Sequence, residues 1–221
     1  LRYRPDSVYF GTDGEFLYFE PAYLLKEYRK NQEQIQHLFA HSLFHCIFRH
    51  MYFDQKLIDA QKWNLACDIA VENSLYELKL NPDDSHKYWK ESWFKKLKQS
   101  VKLLTAENLY RYFLDHPLSE EELQDLNRVF VLDSHSVWYP PSDPEAGGAG
   151  KKDNRHGNNP SGSSESGPSS PSATDSNKQQ SPGSHRKESE DFWKKASERM
   201  EMDLETFSKQ TGLGAGNLVD A

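Results

Sequence analysis

The stretch HLFAHSLFHCIFRH, residues 37–50, carries four of the chain's nine histidines. His41 and His45 are four residues apart. On a helix that spacing puts both on one face, about 6 Å apart along the axis, where two imidazoles can reach one metal ion. The pattern is one residue short of H-E-x-x-H, in which the histidines bind zinc and the glutamate is the general base. Here Ser42 stands at the glutamate position. H-x-x-x-H alone also arises by chance in a chain with nine histidines. His37 extends the stripe, but about 12 Å of axial rise separates it from His45. His50, nine residues after His41, falls on the opposite side of a continuing helix. Both therefore read as structural or surface residues.

Zinc takes at least three protein ligands. The best third candidate is Asp68, in WNLACDIAVEN, flanked by Leu65, Ala66, Cys67, Ile69, Ala70 and Val71. A carboxylate in such a setting is costly unless paired or bound to a cation. The alternatives are a salt bridge, for instance to Arg49, and a solvent-facing acid. Glu72 lies one turn beyond Asp68 and shares its face.

Outward from these two stretches, the chain reads as mainly α, an α+β fold with a small N-terminal β-hairpin. SVYFGTDGEFLYF has two β-rich runs around a turn at Asp13-Gly14. Pro21 suits a helix start. Residues 22–53 supply one long helix or two consecutive ones. KWNLACDIAVENSLYELKL is a further helix, ended by Asn81-Pro82. HKYWKESWFKKLKQ interleaves lysines with Tyr88, Trp89, Trp93 and Phe94, and reads as an amphipathic packing helix rather than a nucleic-acid surface. TAENLYRYFLDH and SEEELQDLNRVF each open on a capping Thr or Ser with acidic residues in the first turn.

Composition changes after Pro140. Residues 140–189 are rich in Ser, Gly, Pro and Asn, cannot bury enough surface to offset chain entropy, and read as a disordered linker containing solvated His156 and His185. Three regions follow: a folded domain over 1–139, the linker over 140–189, and a C-terminal helix over 190–221 with Gly212 as its C-cap. Phe192 and Trp193 favour that helix packing back on the front domain. The last residues have no core of their own and read as the start of a truncated following region.

The net charge of −7 argues against non-specific nucleic-acid binding. No run reaches the ~18 apolar residues of a membrane span, and LRYRPDSVYF lacks the apolar core of a signal peptide. The two cysteines, Cys46 and Cys67, form no C-x-x-C pair and read as buried free thiols, which fits a cytoplasmic protein.

FGTDGEFLYF, LFAHSLFHCIFRH and KWNLACDIAVEN, in this order, resemble the metallopeptidase domain found with von Willebrand factor A-like domains. That family shows a T-D-G hairpin, an H-E-x-x-H helix and a W-N-x-A-x-D helix. LTAENLYRYF and LDSHSVWYP resemble its later T-x-E-x-I-Y and D-x-H-x-x-W segments. The resemblance spans roughly residues 7–140 and the helix at 190–213. It implies a zincin-like fold with zinc as cofactor, His41, His45 and Asp68 as ligands, and a von Willebrand factor A-like domain further along the full-length chain. Asp133 and His135 match the D-x-H motif. They are either a supporting pair, residues near the cleft, or exposed loop residues.

The chain departs from that family at two places. Ser42 replaces the glutamate that accepts a proton from metal-bound water, help worth about 10²–10⁴-fold. A hydroxyl cannot act as that base at neutral pH. Glu72 stands where the family has Asn, and is the candidate substitute carboxylate. The expectation is a zinc-binding, metallopeptidase-like domain, catalytically impaired, with a structural or peptide-binding role. Two alternatives are an active metallopeptidase using Glu72 (or a form inactivated by engineering at Ser42) and a metal-free helical scaffold that presents a partner domain.

Overall fold

A computed structural model of the chain describes residues 2–3, 9–54, 57–80, 86–139 and 182–211. Strands β1 (Arg2–Tyr3), β2 (Phe10–Thr12) and β3 (Leu17–Phe19) come first. β2 and β3 form the expected antiparallel hairpin, and β1 adds a parallel edge in the order β1-β3-β2. The Asp13-Gly14 turn forms because Asp13 Oδ1 accepts from the backbone N–H groups of Glu15 and Phe16, at 2.9 and 2.7 Å. Gly14 takes φ 89°, and a Cβ there would meet the Tyr52 hydroxyl at 2.2 Å.

Among the described residues seven α-helices follow: α1 (Pro21–Lys30), α2 (Gln32–Ile47), α3 (Ala60–Glu77), α4 (Lys87–Lys98), α5 (Ala106–Asp115), α6 (Glu120–Phe130) and α7 (Pro182–Thr211). Pro21 stands at the start of α1. The 22–53 region is two helices, not one, because extended Asn31 breaks it and caps α2 by accepting from Glu33 N–H. Thr105 and Ser119 cap α5 and α6 as their sequences predict, Ser119 in a reciprocal pair with Glu122. α4 packs by Phe94 and Leu97 and leaves Tyr88 and Trp89 exposed, the amphipathic helix its pattern predicts.

Helix α3 is the axis of the fold. It packs against α2, α5 and α6, and its residues from Leu65 to Leu75 are all buried. Its end differs from the expected Asn81-Pro82 stop. α3 finishes at Glu77, where Lys79 takes φ 58° and Leu80 N–H reaches back to Leu75 O. Residues 81–85 lie outside the described residues.

Helix α7 begins at Pro182, so its first turns fall in the stretch read as linker, and His185 is exposed on it. Residues 140–181, with His156, and the cap proposed at Gly212 lie outside the described residues. α7 packs back on the front domain. Trp193 Nε1–H donates to Gly14 O at 2.7 Å, Arg186 donates to Met51 O at 2.6 Å, and Arg49 pairs with Glu190 at 2.9 Å. The Arg49 guanidinium points to α7, so the salt bridge considered between it and Asp68 does not form. Cys46 and Cys67 are free, buried thiols.

Candidate metal centre

The faces of α2 and α3 that touch each other carry the site. His41, Ser42 and His45 project from α2, and Asp68 and Glu72 from α3. His41, His45, Asp68 and Glu72 have no solvent exposure. Asp68 Oδ1 lies 3.2 Å from Nε2 of both His41 and His45, and those two nitrogens are 3.0 Å apart. The structure thus brings together His41, His45 and Asp68.

A third segment completes the cluster. After α6 the chain runs along β2, where Ser134 N–H donates to Phe10 O at 2.8 Å, and then forms the 3-10 turn His135–Trp138. Trp138 Nε1–H donates to Thr12 O at 2.7 Å. Asp133 and His135, on either side of Ser134, point into the site. They are buried, not exposed loop residues. Asp133 Oδ1 is 3.7 Å from His41 Nε2 and 4.0 Å from His45 Nε2. His135 Nε2 lies 2.9 Å from Asp133 Oδ1 and 3.2 Å from Asp68 Oδ1. Its ring stacks on Trp138, centroids 3.8 Å apart.

The hairpin therefore scaffolds the site. Gly11 is central to this, because a Cβ there would meet Ser134 O at 2.5 Å. Gly11→Ala is expected to push the 133–135 segment outward, lowering both thermal stability and metal uptake, with α2 and α3 unmoved. Thermal denaturation with metal titration checks it. Unaltered values for both would show that the segment tolerates the displacement.

On the far side, away from Asp68, each histidine ring has its own partner. Glu72 is held well below the usual carboxylate range despite burial, by bonds from His37 and His41 and the Lys90 charge. It is therefore a pure acceptor. His41 Nδ1–H donates to it at 2.7 Å, His37 Nε2–H at 3.0 Å and Lys90 Nζ at 2.8 Å. His45 Nδ1 is 3.0 Å from His50 Nδ1. Burial lowers His50 well below the usual imidazole range, so it is neutral. His50 is not on the opposite face, as a continuing helix would require. α2 stops at Ile47, Arg49 takes φ 61°, and His50 N–H reaches back to His45 O at 3.0 Å. His37 likewise is buried, not a surface residue.

These partners decide what the inner atoms offer. With Nδ1–H of His41 given to Glu72, neutral His41 presents its Nε2 lone pair to Asp68 and to His45 Nε2. Lone pairs and carboxylate oxygens facing one another in a dry site repel unless a cation sits among them. Protons are one answer. Burial works against a charged His41, but Asp68, Glu72 and Asp133 together raise it to about 10. His135, opposed by burial and favoured by Asp68 and Asp133, rises to about 9. His45 falls to about 4, as burial outweighs the bond to Asp68. Burial opposes ionisation of Asp68 and Asp133, but His135 above all holds both carboxyls down.

A metal ion is the other answer. Ligand atoms of His41, His45, Asp68 and Asp133 all lie within 4.8 Å of one another. Asp68 Oδ2 and Asp133 Oδ1 are buried without a hydrogen-bond partner. Three carboxylates, Asp68, Glu72 and Asp133, are buried in this region, and the Lys90 ammonium pairs with Glu72. A dication balances that charge, and the donor set of imidazoles and carboxylates fits one.

The sequence pattern singled out Asp133 and His135 without a role, and missed the inward turn of Lys90, which sits in a basic stretch with no sign of burial. No curated protein and no solved structure matches the chain. The family described as "putative metallopeptidase domain" matches residues 3–219, nearly the whole length. The buried two-histidine, two-aspartate cluster is the feature of the fold on which such an activity would rest, and the chain belongs to that metallopeptidase domain family.

Proposed function

We propose that this chain is a zinc-binding, metallopeptidase-like domain whose hydrolytic chemistry is impaired. The observation that carries it is the buried convergence of His41, His45 and Asp68 beside a serine at the position of the base. Two imidazoles with a carboxylate form a donor set typical of zinc. Bound zinc would polarise a carbonyl or a water. Ser42, a neutral hydroxyl, has no capacity to take up the proton that such chemistry releases.

Glu72 is the candidate substitute base. Its carboxylate lies at the Nδ1 edge of His41, across the ring from Asp68, and is engaged by His37, His41 and Lys90. That geometry favours another role, in which Glu72 fixes the tautomer and direction of His41, as outer partners of metal-bound histidines do. A structural or peptide-binding role follows for the domain. We take a von Willebrand factor A-like domain as the partner further along the full-length chain, and a cytoplasmic setting in keeping with the two free thiols. No helix among the described residues is long and apolar enough to cross a membrane.

The test is metal analysis of protein purified without added zinc, paired with peptide hydrolysis by the unmodified chain and by Ser42→Glu. About one equivalent of zinc with no metal-dependent hydrolysis is expected. Clear metal-dependent cleavage by the unmodified chain would overturn the impairment. Folded protein free of metal would instead favour a helical scaffold. Uptake should also release protons, since His41 at about 10 is protonated at neutral pH and a ligand must be neutral. Affinity is expected to fall as pH drops below that value, by about tenfold per unit for each proton displaced. A pH-independent affinity between pH 6 and 8 would argue against His41 as a ligand.

A further inference from the structure

We infer that Ser42 is a positioning residue that aims Asp133 into the site, so that His41, His45, Asp68 and Asp133 form a closed four-ligand cage. The inference rests on the zinc reading above and adds a consequence: the position that a catalytic ion keeps for water is filled by the protein.

The geometry of Asp133 carries this. Ser42 Oγ donates to Asp133 Oδ2 at 3.2 Å, a buried bond across 91 residues of sequence. It engages one carboxylate oxygen and leaves the other, Oδ1, turned toward the two Nε2 atoms without a hydrogen-bond partner. His135 Nε2 approaches that oxygen outside hydrogen-bond geometry. Zinc–ligand bonds of about 2.0–2.1 Å in a tetrahedron imply ligand atoms about 3.3 Å apart. The distances within the cluster are 3.0 Å for His41–His45, 3.2 Å for each histidine to Asp68, and 3.7 and 4.0 Å for the histidines to Asp133. Three edges are already those of a zinc tetrahedron. Of the three edges to Asp133, the two from the histidines need a shift of a few tenths of an ångström, and the one from Asp68 lies within 4.8 Å.

The residue type at position 42 fits the same conclusion. A serine donates to the Asp133 carboxylate. A glutamate at that place would bring a second negative charge against it and push it away. Loss of the base and entry of a fourth ligand are thus one structural change. Structural zinc sites have four protein ligands, whereas catalytic ones keep a position open. An ion so enclosed would clip α2, α3 and the 133–138 segment together rather than act on a substrate.

The full chain loaded with cobalt(II) tests this, with sodium azide as the probe of an open position. The unmodified chain is expected to show the intense visible bands of a four-coordinate ion, unmoved by azide. Asp133→Ala should bind cobalt at least about tenfold more weakly, with bands that azide shifts. Ser42→Ala, which deletes a single oxygen and leaves the helix intact, should lose about 10–100-fold in affinity, the range for outer-shell partners. Ser42→Thr, which keeps the hydroxyl, should retain it. Bands that shift with azide in the unmodified chain, or full affinity in Ser42→Ala, overturn the closed cage and leave the zinc reading standing. An unmodified chain that binds neither cobalt nor zinc overturns both.

Discussion

Asp68→Ala is expected to abolish metal binding and to destabilise the metal-free fold by about 3–5 kcal/mol, the cost of stranding buried charge. Asp68 Oδ1 lies 3.2 Å from Nε2 of His41, His45 and His135, on two different elements. In the loaded protein its removal takes a ligand. In the metal-free protein it removes the counterion of His41 and His135, both raised above the usual imidazole range. Metal content and urea denaturation measure the two effects separately. Retention of one equivalent of metal would exclude Asp68 as a ligand, whatever happened to stability.

The two forms should also differ in pH dependence. His41 rises from 6.5 to about 10 on folding without metal. Its charge therefore favours the metal-free fold fully below about 6.5, and the contribution is lost as pH rises through about 10. The loaded protein runs the other way at low pH, because protons compete with the ion for the same nitrogens.

Lys90→Met should have an effect of similar size on stability, again about 3–5 kcal/mol. Lys90 is 2% exposed, and its ammonium lies 2.8 Å from Glu72 Oε2. Methionine keeps much of the packing volume but leaves the Glu72 carboxylate with only the donated bonds of His37 and His41. Glu72 then draws a proton or pulls the His41 ring, and metal affinity is expected to drop with stability. Pairing Lys90→Met with Glu72→Gln in a double-mutant cycle checks the coupling. If the two losses simply add, the ion pair does not orient His41.

How much of the site is legible in the sequence follows from the kind of relation involved. His41 and His45 are related by one helical turn, and a period of 3.6 residues makes that readable. Asp68 is legible for an energetic reason: a lone carboxylate among Leu65, Ala66, Cys67, Ile69, Ala70 and Val71 has to have a cationic partner or a metal. The hairpin at Asp13-Gly14 and the caps at Thr105 and Ser119 are local chemistry, and the structure has them.

Other relations depend on where a helix stops or where a distant segment lands. His50 turns back onto His45 because α2 ends at Ile47 and Arg49 adopts a left-handed conformation, one residue's dihedral that no periodicity encodes. Lys90 is buried because α4 meets the Glu72 end of α3, although Tyr88 and Trp89 just before it are exposed. Asp133 reaches Ser42 across 91 residues only because Gly11 lets the Ser134 backbone lie against β2. By itself the sequence determined the helices, the two histidines on one face and the buried aspartate that faces them. Tertiary structure alone decided which carboxylate stands beside Ser42 and which braces His41. Such contacts arise from chain closure over long separations, where packing and backbone hydrogen bonds, not local spacing, set the geometry.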